Sequence, residues 1–194
     1  MHLSGRSIAV FCGSSEGRTP SFRESAAELG RELAARHVEL IYGGASVGLM
    51  RIVADAALAE GGRVVGVIPK HLVDREVAHA NLSELLVVET MHLRKAAMSE
   101  RAAGYVALPG GYGTYEELLE VATWKQLGLH NKPVVLLNLE GYYDPLFAQI
   151  DRAIQHGFMR PELRRYLIET RSVGEALAAL EAYDAPSTAA GKWI

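Results

Sequence analysis

The sequence has a single cysteine, Cys12. An intramolecular disulfide is excluded, and with it a zinc cluster built on cysteine. No apolar run reaches the roughly 18 residues that span a bilayer. The first residues, Met1 to Ser7, are polar and contain no signal-peptide core. An excess of positive charge is also missing: 20 Lys and Arg stand against 23 Asp and Glu, for a net charge of −3. That balance provides no broad basic face for nonspecific nucleic-acid binding, although a local anion site is allowed. No Gly-Lys-Ser/Thr marks a Walker loop. No His, Asp and Glu set has metal-ligand spacing. The expectation is a soluble cytoplasmic protein with no metal, no membrane span and no nucleic-acid partner. Its 194 residues suffice for one domain with a proper core, placed at residues 1–183, followed by a loose tail at 184–194.

Short β-branched runs alternate with longer segments rich in Ala, Leu, Glu and Arg. Strands are predicted at 7–12, 38–42, 63–68, 85–89, 105–108, 133–139 and 166–170. Helices are predicted from Thr19-Pro20, from Leu49, over 92–103, over 114–127, from Asp144 and over 172–183. The strands are apolar without alternation, which argues for a parallel sheet covered on both faces. The predicted fold is a single doubly wound, Rossmann-like α/β domain.

Ligands of such sheets bind outside the carboxyl ends of the strands, near the switch in strand order. Three glycine-containing turns follow strands there. They are Gly13-Ser14-Ser15, Gly43 to Gly48 with Gly43-Gly44 at its head, and Gly110-Gly111-Tyr112-Gly113-Thr114. Each can turn backbone N–H groups and a helix N-terminus toward an anion. The third runs on into Thr114-Tyr115-Glu116-Glu117, which spells a capping box. Glu117 therefore has two readings, as the far half of that cap or as a catalytic carboxylate. Glu116 and Glu117 point about 100° apart on a helix, so at most one aims at a ligand held in the turn. A second cluster, Met91-His92-Leu93-Arg94-Lys95, places two cations at the start of a helix, against its dipole.

Pro109 to Glu117 matches the signature PGGxGTxxE in full, and Met91 to Lys95 matches its companion MHxRK. The chain resembles the LONELY GUY family of cytokinin riboside 5′-monophosphate phosphoribohydrolases, long labelled as possible lysine decarboxylases. The resemblance runs from the first strand to the helix around Ile154 and weakens in the last third. Ala45 and Arg51 stand where the family often has glycine. The resemblance implies cleavage of the N-glycosidic bond of AMP or N6-prenyl-AMP, with no cofactor, by a protein acting as a homodimer. It carries the catalytic pair onto Arg94 and Glu117. It carries substrate contacts onto Glu76, Lys95, Gly110, Gly111, Tyr112, Gly113, Thr114, Tyr115, Glu116 and Thr123. Gly13, Ser14, Gly43 and Gly44 join these as candidates from the first two turns. A carboxylate near a helix N-terminus should stay ionised, which suits a developing ribose cation better than proton donation. Molybdenum-cofactor carriers, which bind a phosphorylated pterin without turnover, share a similar sheet and glycine turn. They are the alternative reading.

Overall fold

The computed structural model describes residues 2–73 and 78–184. Glu76 and nearly all of the predicted tail lie outside them. Seven strands form one sheet: β1 Ser7–Phe11, β2 Glu39–Tyr42, β3 Val64–Pro69, β4 Glu84–Val88, β5 Gly104–Ala107, β6 Val134–Leu137 and β7 Leu167–Thr170. Every pairing is parallel, in the order β4-β3-β2-β1-β5-β6-β7. The chain winds outward from β1 in one direction, then returns to β5 and winds outward in the other. The switch point therefore lies between β1 and β5.

Side chains alternate across each strand, and in the inner strands both sets are apolar. Ile8 and Val10 of β1 face helices α1 (Pro20–Ala35), α2 (Gly48–Ala59) and α7 (Val173–Ala182), through Leu29, Leu33, Val53 and Leu177. Ala9 and Phe11 face α4 (Met91–Arg101), α5 (Tyr112–Gln126) and α6 (Asp144–Gln155), through Met98, Leu118, Val121 and Phe147. The doubly wound reading is thus correct. The edge strand β4 departs from the non-alternating pattern. There Leu85 and Val87 are exposed while Leu86 and Val88 pack inward, because this strand is covered on one face alone.

Three short elements escaped the sequence reading. They are helix α3 (Lys70–Val73) and two 3-10 turns at Leu139–Gly141 and Pro161–Tyr166. All are too brief to show a period.

Candidate active site

The three glycine turns meet at the switch point. The Gly13 N–H donates to the Pro109 carbonyl at 3.1 Å, and the Gly13 carbonyl accepts from the Leu49 N–H at 3.0 Å. First turn, third turn and the start of α2 are thereby tied together. Gly13 fits because a Cβ there would press on the Gly110 backbone. A cleft of about 260 Å³ opens between the first and third turns, with Ser14, Ser15, Phe22, Gly110, Gly111 and Tyr142 among its walls. Phe22 reads as scaffold in the first helix and Tyr142 falls between a predicted strand and a predicted helix, so neither has a sequence signal.

The third turn does not form the capping box. Helix α5 begins two residues early, at Tyr112, with Gly111 as N-cap and no side-chain cap. Thr114 is buried and lies over Gly110, where any Cβ would collide with it. Glu117 does not reach back to Thr114, and its carboxylate turns to Arg94 instead. The Glu117 Oε1 and Arg94 Nη2 atoms are 3.0 Å apart, with side chains only 8% and 11% exposed. The two are out of line for a hydrogen bond. Glu117 Oε1 and Arg94 Nε are both buried without a hydrogen-bond partner. Such orphaned groups are costly in a folded chain and mark functional sites.

Burial pushes the Glu117 carboxyl up to about 6, against the opposing pull of Arg94. This corrects the expectation of a carboxylate held low by the helix dipole. Glu117 lies in the second turn of α5, where the dipole has faded and desolvation dominates. Cys12, beside this pair at the end of β1, has its thiol pushed far up by burial first and by Glu117 second. It is an inert core residue.

Arg94 is placed by the second turn. A Cβ on Gly43 would overlap the Arg94 guanidinium, so glycine there admits it to the end of β2. The next residue, Gly44, is buried, and its carbonyl accepts from the His79 N–H at 3.1 Å. Helix α4 is capped by Thr90, whose hydroxyl accepts from the Leu93 N–H at 3.2 Å. The dipole conflict at Arg94 and Lys95 is resolved by carboxylates from α5. Lys95 is buried, hydrogen-bonds Glu116, and has its Nζ 3.0 Å from Glu120 Oε2. Burial lowers the Lys95 ammonium pKa, but these two carboxylates outweigh it and the net shift is upward. Glu120 was not foreseen, although its place one turn beyond Glu116 is the available signal.

Structure therefore brings together Gly13, Ser14, Gly43, Gly44, Arg94, Lys95 and the run Gly110 to Glu117. Within that run Tyr112 is 94% exposed, and Tyr115 donates its hydroxyl to Tyr142 at 3.0 Å. Thr123 is not brought to the cleft. It is exposed near the far end of α5, where its hydroxyl donates to the Leu119 carbonyl at 2.7 Å.

Known proteins match this chain at two levels. The Chlamydomonas reinhardtii molybdenum-cofactor carrier superposes with a TM-score of 0.68 at 23% identity, over 91% of this chain and 95% of that one. A molybdenum-cofactor binding protein from Rippkaea orientalis gives 0.70 at 20%, over 91% and 96%. These show a shared fold. In sequence, the cytokinin riboside 5′-monophosphate phosphoribohydrolase LOG7 of Arabidopsis thaliana is 50% identical over 177 residues, 91% of this chain and 82% of that protein. LOG of Oryza sativa subsp. japonica is 49% identical over 178 residues, 92% of this chain and 74% of that protein. The sequence model of a family described as "Possible lysine decarboxylase" matches residues 50–180, so the likeness runs past Ile154. The chain belongs to the LONELY GUY family of phosphoribohydrolases.

Proposed function

We propose that the protein hydrolyses the N-glycosidic bond of adenine-type nucleoside 5′-monophosphates, AMP or N6-prenyl-AMP, releasing the free base and ribose 5-phosphate. The observation that carries this is the buried Arg94–Glu117 pair, with its orphaned atoms, among three glycine turns. The N–H groups of Tyr112, Gly113 and Thr114 open helix α5 and receive the 5′-phosphate, aided by the helix dipole. As the bond between C1′ and the base nitrogen lengthens, positive charge builds on the ribose. Glu117, ionised above pH 6, stabilises that charge and takes a proton from the attacking water. The oxygen of that water bonds C1′, the bonding pair leaves with the base, and the proton Glu117 received passes on to the base nitrogen, which returns Glu117 to its ionised form. Arg94 holds the carboxylate in its ionised form and in place.

The buried lysine of the site is tied to two carboxylates, which leaves it ammonium rather than the free amine that Schiff-base decarboxylation needs. Homodimerisation belongs to the same reading, through the outer side of α4 and α5, where Leu93 and Leu119 are half exposed. So does a cytoplasmic location; no helix of the described residues is long and apolar enough to cross a membrane. Incubation with AMP tests the reading. Adenine and ribose 5-phosphate should appear in equal amounts, adenosine should stay intact, and light scattering should give twice the 21.1 kDa chain mass. Bound but uncleaved AMP would favour a carrier.

A further inference from the structure

Four successive carbonyl groups of the third turn each have their own donor. Leu108 O accepts from Tyr143 Oη at 2.6 Å, and Pro109 O from the Gly13 N–H at 3.1 Å. Gly110 O accepts from Tyr142 Oη, and Gly111 O from the Tyr115 N–H at 3.0 Å. By contrast, the N–H groups of Tyr112, Gly113 and Thr114 have no backbone acceptor among the described residues. The turn thus offers donors outward and ties its oxygens back.

An anion site made of backbone works only while its carbonyl oxygens point away. The peptide between Gly110 and Gly111 is the weak point, because glycine on both sides leaves few steric barriers to a flip. A flip would release the Gly110 oxygen from Tyr142 and let it turn toward the anion. Tyr142 supplies the bond that opposes it. Its hydroxyl is itself held: it accepts from Tyr115 Oη at 3.0 Å, and its ring meets Phe22 edge-on at 5.7 Å. Asn138 fixes the backbone here, its side-chain oxygen accepting from the Tyr143 N–H at 2.7 Å and its amide donating to Asp144 at 2.7 Å.

We infer that Tyr142 is a positioning residue for the substrate phosphate, holding the Gly110 carbonyl away so that the turn presents only donors. The inference rests on the nucleotide reading above and adds the residue that sets its phosphate affinity.

The test is Tyr142→Phe, which keeps the ring and the Phe22 contact and removes one hydroxyl. Calorimetry with ribose 5-phosphate should show binding weakened on the order of tenfold, the worth of one hydrogen bond in a partly buried site. KM for AMP should rise by a similar factor with a smaller fall in kcat. Adenine should bind as it does to the unaltered protein. Tyr115→Phe, which removes the bond that orients the Tyr142 hydroxyl, should move the same quantities the same way by less. That second variant decides the matter if Tyr142→Phe does not fold. Unchanged ribose 5-phosphate binding in a folded variant, or equal losses for ribose 5-phosphate and adenine, overturns the inference alone. An unaltered protein that binds ribose 5-phosphate but leaves AMP intact overturns the hydrolase reading, and the Tyr142 effect is still read from ribose 5-phosphate. An unaltered protein that binds no ribose 5-phosphate overturns both.

Discussion

The two ends of the sheet have similar raw material and different uses for it. The amino end holds a cleft of about 320 Å³ with Gly5, Arg6, His37, Gly61 and Arg63 on its walls, slightly larger than the cleft at the carboxyl end. Glycine is plentiful at both. At the amino end, Gly5 and Gly61 have φ of +74° and +73° and open space around them, so they serve the course of the chain. At the carboxyl end, Gly43 and Gly110 have ordinary φ and no room for a Cβ, because Arg94 and Thr114 occupy it. Charges divide in the same way. Arg63 pairs with Glu39 and Glu84 on a half-exposed surface, whereas Arg94 and Glu117 are buried. Cavity size and glycine content therefore fail to separate a site from a crevice. Unsatisfied buried charge, at Arg94 and Glu117, does separate them.

Substitutions at the two ends sharpen this contrast, and the largest effect belongs to Glu117. Glu117→Gln should lower AMP turnover on the order of 100- to 1000-fold, because it removes one preorganised charge from the transition state. AMP affinity, measured by titration, should stay within a few-fold, since the ground-state ribose carries no positive charge. Glu116→Gln should cost less, as that carboxylate binds Lys95 instead.

Next comes Gly43→Ala, whose methyl group displaces the Arg94 guanidinium. Turnover should fall on the order of tenfold to a hundredfold, the usual cost of a catalytic group moved by about 1 Å. Its amino-end counterpart, Gly61→Ala, should leave kcat and KM unchanged. It should cost about 1 kcal/mol in a denaturant melt for the left-handed backbone.

The pH dependence sharpens the comparison from another side. A carboxyl raised from 4.5 to about 6 binds its proton more readily in the folded chain than in the unfolded one. This group therefore adds stability as pH falls from about 6 toward 4.5, by about 2 kcal/mol at most. Activity should run the opposite way, with kcat falling about tenfold per pH unit below 6 as the ionised form is lost. In Arg94→Met the acid limb should move to higher pH, because the cation that favours the carboxylate is gone. The smallest effect is expected on the rim of the site. Arg51 lies 3.1 Å from Glu16, and both side chains are partly exposed on the surface. Arg51→Ala should change stability by no more than about 0.5 kcal/mol.

Most of this was legible in the residues. Strand and helix positions followed from apolar period and punctuation, and three glycine turns after three strands pointed to one end of the sheet. What stayed hidden was set by burial and by long-range contact. The spelling Thr114-x-x-Glu117 predicts a cap, yet α5 starts at Tyr112 and the carboxylate goes to Arg94, in another helix. The same burial raises Glu117, where helix position alone argued for the reverse. Tyr142 was unreadable because its partner, the Gly110 carbonyl, is 32 residues away. Thr123 came from resemblance alone, and in the folded chain it sits away from the cleft.

The central claim is that the ionised Glu117, beside Arg94, faces the ribose of a phosphate-anchored nucleotide. A single-turnover measurement with AMP, followed across pH 4.5 to 8 in the unaltered protein and in Glu117→Gln, tests it most directly. The rate should show an acid limb near pH 6 and equal yields of adenine and ribose 5-phosphate, with both rate and limb lost in the variant. A Glu117→Gln protein that cleaves AMP at near-normal rate with the same acid limb would contradict it.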